Sequence, residues 1–326
     1  MTKCSAPGKM ILFGEHAVVF GKPALALAID LRISSEVIPA QQYSVNWHPM
    51  KKRHHAYISA SLDEAWGGPP INVDTISEIP SGSGLGSSAA VTVSCIGAML
   101  SRKGKLEPER VARMAFEVEN TVQGRASPTD TSTSTHGHGV LVSPEKTDGF
   151  LWCIEKEKRQ WNIHHCDVPK LRFVVGYTGI HAATGPLVAK VKKLVDENSD
   201  ARKAVDRIGE IVLDGVDATR AADKAKLGSL MSENQRLLSE LGVSHPLLEK
   251  LVEACQKKSY GAKLTGAGGG GSMIALTDDP QAVSAAITAA GGEPILIEVG
   301  SEGVRVERTS LAAKRADGVP EKGKEE

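Results

Sequence analysis

Apolar and polar positions change rhythm several times along this 326-residue chain. Near the N-terminus, short apolar runs at 10–13 and 24–29 alternate with turn signals at Ala6-Pro7-Gly8 and Gly21-Lys22-Pro23, which predicts strands joined by tight turns. Residues 71–76 read as a further strand. From 87 to 100 the sequence is apolar on nearly all sides, as in a helix buried against a sheet. Residues 107–123 carry Val111, Met114, Ala115 and Val118 on one face, predicting an amphipathic helix that stops at Gly124. A strand is expected at 172–177. Between 186 and 258 the pattern turns helical, with breaks at Gly215, Gly228 and Gly242 that suggest two or three amphipathic helices. Strands return at 262–265, 273–276 and 293–299.

This mixture predicts an α+β protein in two domains, 1–168 and 169–311, followed by a charged, solvated tail at 312–326. Composition narrows the function. Lysine plus arginine and aspartate plus glutamate both number 39, so no basic surplus points to nucleic acid. The apolar stretch 10–20 is interrupted by Glu15 and His16 and lacks a cleavage site, so neither a membrane partner nor an export signal is expected, and the protein reads as cytoplasmic. Five cysteines, odd in number and without a C-x-x-C pair, read as reduced thiols. The histidine pairs have no cysteine or carboxylate at zinc-type spacing.

One segment carries chemistry of its own. IPSGSGLGSSAAVTVS places Gly82, Gly84 and Gly86 at alternate positions, then Ser87 and Ser88 where a helix cap belongs. Glycines let the backbone approach an anion, and free N–H groups with the helix dipole supply the field. No G-x-x-x-x-G-K-[ST] loop exists anywhere in the chain, and the glycine spacing of this segment is not the G-x-G-x-x-G of a dinucleotide fold. On its own residues the loop reads equally as a phosphate cradle or as a plain turn before a core helix.

Two other motifs accompany it in order, CSAPGKMILFGEHAVVFGKPALA at the start and KLTGAGGGGSMIAL near the end. Together the three resemble the galactokinase, homoserine kinase, mevalonate kinase and phosphomevalonate kinase (GHMP) superfamily, over residues 4–276. Pro7-Gly8-Lys9, Gly14-Glu15-His16-Ala17-Val18-Val19, Gly124-Arg125-Ala126-Ser127-Pro128-Thr129-Asp130 and Leu241-Gly242-Val243-Ser244-His245 are most similar to the archaeal-type mevalonate kinase family. The resemblance implies a two-domain GHMP kinase fold, with a ribosomal-protein-S5-like mixed α/β N-terminal domain that binds nucleotide and a ferredoxin-like α/β C-terminal domain. It further implies ATP and Mg2+, mevalonate as the phosphoryl acceptor, and a homodimer.

Residue by residue, the resemblance makes Asp130 the base and Lys9 its electrostatic partner. Nucleotide would lie along Pro80, Ser81, Gly82, Ser83, Gly84, Leu85, Gly86, Ser87, Ser88, Ala89 and Ala90. Ser88 and Glu119 match magnesium ligands, while Glu15, His16 and Thr184 match positions associated with substrate. Phosphoryl transfer suits such a set, since it asks for an oriented hydroxyl, screened phosphate charge and a metal. Taken alone, Asp130 would be a turn cap and Lys9 a solvated side chain. The chain departs from the family pattern in three places. Ala126-Ser127-Pro128-Thr129 replaces P-S-G-V before Asp130, His136-Gly137-His138-Gly139 follows it, and no arginine precedes Thr184 in His181-Ala182-Ala183-Thr184. Other readings are a different GHMP kinase such as phosphomevalonate kinase, for whose second phosphate no cation cluster stands out, and a non-catalytic nucleotide or metabolite sensor. The joint presence of Lys9, Ser88, Glu119 and Asp130 speaks against the sensor.

Overall fold

The computed structural model describes residues 2–104, 106–124, 126–181 and 184–307. The expected tail at 312–326 lies outside the described residues, as do Arg125, Ala182 and Ala183.

The first sheet grows around one long strand. β1 (Thr2–Phe13) is followed by a 3-10 turn (Ala17–Phe20) and then by β2 (Ala24–Pro39), which pairs with β1 along its length. After the short β3 (Ser44–Val45) and β4 (His48–Pro49) come helix α1 (Ala56–Ala65) and β5 (Ile71–Ser77), antiparallel to β2. Helices α2 (Ser87–Lys103), α3 (Pro108–Gln123) and α4 (Thr129–His136) stack next. β6 (Gly139–Ser143), β7 (Phe150–Lys156) and β8 (Arg159–Cys166) complete the order β4-β3-β5-β2-β6-β8-β7. α2 lies on β1 and β2, with almost every residue from Ala89 to Leu100 buried, as its all-round apolar sequence requires.

The second sheet is antiparallel, in the order β10-β11-β9-β12, from β9 (Arg172–Tyr177), β10 (Gly261–Thr265), β11 (Ser272–Leu276) and β12 (Glu293–Glu298). Helices α5 (Thr184–Glu197), α6 (Ser199–Arg220), α7 (Lys224–Glu240), α8 (Pro246–Gln256) and α9 (Pro280–Ala290) surround it. A final strand, β13 (Arg305–Val306), returns to pair with β1. One continuous core runs from Met10, Leu12, Phe13, Leu25 and Leu27 of the first sheet into Phe173, Ile274 and the faces of α5–α9.

Three local expectations need correction. Ala6-Pro7-Gly8 is not a turn; it lies inside β1, where the pairing register shifts between Pro7 and Lys9. The helical stretch holds four helices, because Gly215 and Gly228 sit within α6 and α7 instead of ending them. They are glycine for packing: a Cβ at Gly215 would meet Phe13 Cδ2 at 2.4 Å, and one at Gly228 would meet the Tyr260 carbonyl oxygen at 1.9 Å. Only Gly242 follows a helix end, with φ +69. The cap of α2 is Gly86, at φ 80, and Ser87 is already helical. A left-handed residue is needed where the loop turns into the helix, and glycine adopts it without a Cβ penalty.

Candidate active site

The site forms where β1, the loop at 80–86, α2, α3 and α4 meet. The bulge in β1 opens the first contact. Without a side chain, Gly8 lets the loop approach closely, since a Cβ there would lie 2.7 Å from the Leu85 carbonyl oxygen. Lys9 N–H donates to that same oxygen at 2.9 Å. The Lys9 side chain, 4% exposed, then runs beneath Gly86 and donates from Nζ to the Gly84 carbonyl at 3.1 Å. Its remaining reach brings Nζ to 3.0 Å from Asp130 Oδ2. One lysine thus fixes the glycine loop and pairs with the carboxylate, and an ammonium with three donors has one left.

Asp130 stands in the first turn of α4, where the helix dipole favours an anion, and is 27% exposed. α4 has an unusual sequence for a helix, TDTSTSTH, yet Thr131 to Thr135 are buried. Thr133 and Thr135 return their hydroxyl hydrogens to the carbonyls of Thr129 and Thr131, both at 2.7 Å, so part of this polar helix satisfies itself. At its far end, about 9 Å along the axis from Asp130 by the helical rise, His136 Nε2 lies 2.8 Å from His165 Nδ1. His138 packs beside them, 5.6 Å between ring centroids from His165. The histidines that break the family pattern therefore occupy the end of α4 remote from the carboxylate.

Glu119, near the end of α3, is 5% exposed. Its Oε1 accepts from Gln123 Nε2 at 3.2 Å, and its Oε2 has no hydrogen-bond partner among the described residues. Burial first, and then the charge of Asp130, push the Glu119 carboxyl up to about 8, while Lys9 pulls the other way. Two carboxylates share one ammonium here. A buried oxygen without a partner and a deficit of positive charge are what a divalent cation with oxygen ligands would relieve, so the residues fit magnesium. Gln123 Nε2 also donates to the Tyr57 hydroxyl at 2.9 Å, and the Ser88 side chain lies near that hydroxyl. Tyr57 and Gln123 belong to no motif, and a lone tyrosine early in a helix gives the sequence no signal for them.

The other wall comes from the second sheet. The loop 266–271 between β10 and β11 faces the first loop, with Ser272 Oγ donating to the Ser83 carbonyl at 2.6 Å. Thr265 Oγ1 bonds both the N–H and the carbonyl of Ile11, stitching β10 to β1. Glu15 and His16 follow β1 into this region. His16, at φ 60, donates from Nε2 to the Ala267 carbonyl at 2.8 Å. Its tautomer then leaves an acceptor lone pair on Nδ1, which is buried without a partner among the described residues, and burial holds the ring's pKa below the usual histidine value. Glu15 pairs with Lys263, both side chains fully buried, and Lys263 also donates to the Leu264 carbonyl at 2.6 Å. Burial pushes the Glu15 carboxyl up and the Lys263 amine down, each opposed by the other's charge. Sequence reasoning missed Lys263, although it opens the quoted KLT. Thr184 begins α5 and is exposed, and the nearby His181 ring lies against Gly82.

The described residues therefore bring together a lysine-bound carboxylate, a glycine loop opening a buried helix, an acid with a free oxygen and a second glycine loop. Comparison with known proteins agrees with this arrangement. Residues 54–138 match the GHMP kinases N terminal domain and residues 216–293 match the GHMP kinases C terminal domain. The mevalonate kinase of Pyrococcus furiosus is 37% identical across 93% of this chain and 97% of its own length. That of Archaeoglobus fulgidus is 34% identical across 93% and 99%. Among solved structures, the L. major mevalonate kinase in complex with R-mevalonate superposes with a TM-score of 0.78 at 26% identity, over 92% of this chain and 96% of that one. With all three sequence motifs gathered at one cleft and relatives matching from end to end, the chain belongs to the mevalonate kinase family of the GHMP kinases.

Proposed function

We propose that this protein transfers the γ-phosphoryl group of ATP to the primary hydroxyl of (R)-mevalonate, giving 5-phosphomevalonate and ADP for isoprenoid synthesis. The observation that carries this reading is the 3.0 Å contact between Lys9 Nζ and Asp130 Oδ2, made by the same lysine that grips the glycine loop. A base and a phosphate cradle held by one ammonium are matched in position by construction.

In this reading the nucleotide phosphates lie along residues 80–90, against the N-terminus of α2. Asp130, with one oxygen engaged by Lys9, accepts the hydroxyl proton of the substrate on the other. The alcohol oxygen forms its bond to the γ-phosphorus as the bond to the ADP oxygen breaks. In a loose transition state that proton leaves late, so a carboxylate suffices. The free donor of Lys9 meets the charge that develops on the transferring group. Ser88 and Glu119 are the side chains that would hold magnesium, which when bound screens the phosphate charge. His16 forms the substrate side of the cleft, backed by the sealed Glu15 and with Thr184 assigned to its edge, and the acceptor on His16 Nδ1 suits a substrate hydroxyl.

A division of the chain at 168 is supported by the change of sheet between β8 and β9. Among the described residues no helix is long and apolar enough to cross a membrane, and we assign the enzyme to the cytoplasm. A twofold homodimer, the commonest closed assembly, is expected on light scattering.

The test is an assay of ADP release with mevalonate, phosphomevalonate, homoserine and galactose. Turnover is expected with mevalonate. Good turnover of another alcohol with none on mevalonate would overturn the substrate assignment.

A further inference from the structure

Three helices contribute side chains to a small polar cluster beside the site, and the proposed reaction has no use for Tyr57. Tyr57 comes from the first turn of α1, Ser88 from the first turn of α2, and Glu119 with Gln123, one turn apart, from the end of α3. Gln123 Nε2 donates to the Tyr57 hydroxyl at 2.9 Å and to Glu119 Oε1 at 3.2 Å. The Ser88 side chain lies near the same hydroxyl. Tyr57 therefore reaches the expected magnesium ligand Glu119 through Gln123.

We propose that Tyr57 is a positioning residue for the magnesium ligand Glu119, which it fixes through Gln123. This rests on the assignment of Glu119 to the metal. The Tyr57 oxygen accepts one amide hydrogen of Gln123, which leaves the second for Glu119 Oε1. With Oε1 so held, the carboxylate is turned with Oε2, which has no partner among the described residues, free for the cation. Such partners orient metal ligands generally, and their loss typically weakens metal binding about 10-fold to 100-fold.

The experiment is calorimetric and needs no turnover. A non-hydrolysable ATP analogue is titrated into the full-length protein with and without Mg2+, and the gain in affinity on adding the metal is read for the wild type, Tyr57→Phe, Gln123→Leu and Glu119→Gln. Tyr57→Phe keeps the ring packed between the helices and removes only the acceptor. The expected result is a metal-dependent gain reduced about 10-fold in Tyr57→Phe and in Gln123→Leu. The metal-free affinity should stay at the wild-type value. A full gain in Tyr57→Phe, with the gain lost in Glu119→Gln, would overturn the role of Tyr57 while leaving the metal assignment intact. A weaker metal-free affinity in Tyr57→Phe would make the tyrosine a nucleotide contact instead. An undiminished gain in Glu119→Gln would remove the metal assignment, and this inference with it.

Discussion

Two ion pairs flank the cleft, both with one partner in or just after β1, and they differ in a single respect. Lys9 with Asp130 leaves its carboxylate 27% exposed, whereas Glu15 with Lys263 is sealed on both sides. An open pair can exchange partners: on the proposed mechanism Asp130, which solvent reaches, turns to the substrate hydroxyl while Lys9 keeps its hold on the glycine loop. A sealed pair has nothing to exchange with. Its charges were desolvated at a cost of several kcal/mol per ion, which their mutual attraction and the bond to Leu264 offset. What it does is hold the turn after β1 against β10, so that His16 reaches Ala267 and the two glycine loops face each other. On the proposed mechanism, two pairs of like composition divide into chemistry and architecture according to solvent access.

The sharpest way to break that division is Asp130→Asn. Removing a positioned base is expected to lower kcat about 10²-fold to 10⁴-fold. Because the residue is partly exposed and its helix is anchored elsewhere, nucleotide binding and the thermal midpoint should change little. Steady-state kinetics beside a melting curve checks both. A large loss of midpoint would show that this pair, too, is structural.

Lys263→Met probes the other side. Leaving Glu15 charged and buried without a partner should cost about 3–5 kcal/mol in denaturant unfolding. The double variant Glu15→Leu with Lys263→Met removes both charges and should recover most of that loss, which is the signature of a coupled pair. If the single variant is as stable as the wild type, the sealed pair does not carry the load given to it here.

Much of this was legible before the structure, for physical reasons that differ by element. α3 announced itself through an apolar stripe and a terminal glycine, and it runs from Pro108 to Gln123 with Gly124 left-handed, at φ 78. α2 was visible because a helix buried on all sides must be apolar on all sides. α4 was not, since TDTSTSTH has no apolar period and its hydroxyls find carbonyl partners only once the helix exists. Gly215 and Gly228 misled because a glycine that admits Phe13 or the Tyr260 backbone looks, in sequence, like one that ends a helix. Lys9 and Asp130 could be singled out by motif, but their contact spans 121 positions and no local pattern encodes it. Tyr57 and Lys263 are defined only by what they touch.

The smallest expected effect tests whether the sealed pair acts through the second glycine loop. Gly268, at φ +80, approaches the backbone of Val243 so closely that a Cβ would lie 2.0 Å from its carbonyl oxygen. Gly266, at φ +82, has open space where its Cβ would be. Gly266→Ala should therefore cost only the left-handed conformation, about 1–2 kcal/mol, with substrate affinities near the wild-type values. Gly268→Ala bears the same penalty and must also shift backbone against backbone, which displaces the loop to which His16 is bonded through Ala267. Its loss of stability should exceed that of Gly266→Ala, and its KM for mevalonate should rise while the metal-dependent gain in nucleotide affinity stays intact. Equal effects from the two substitutions would mean that the loop tolerates displacement. The architecture attributed to Glu15 and Lys263 would then end at β10 and not extend to the cleft.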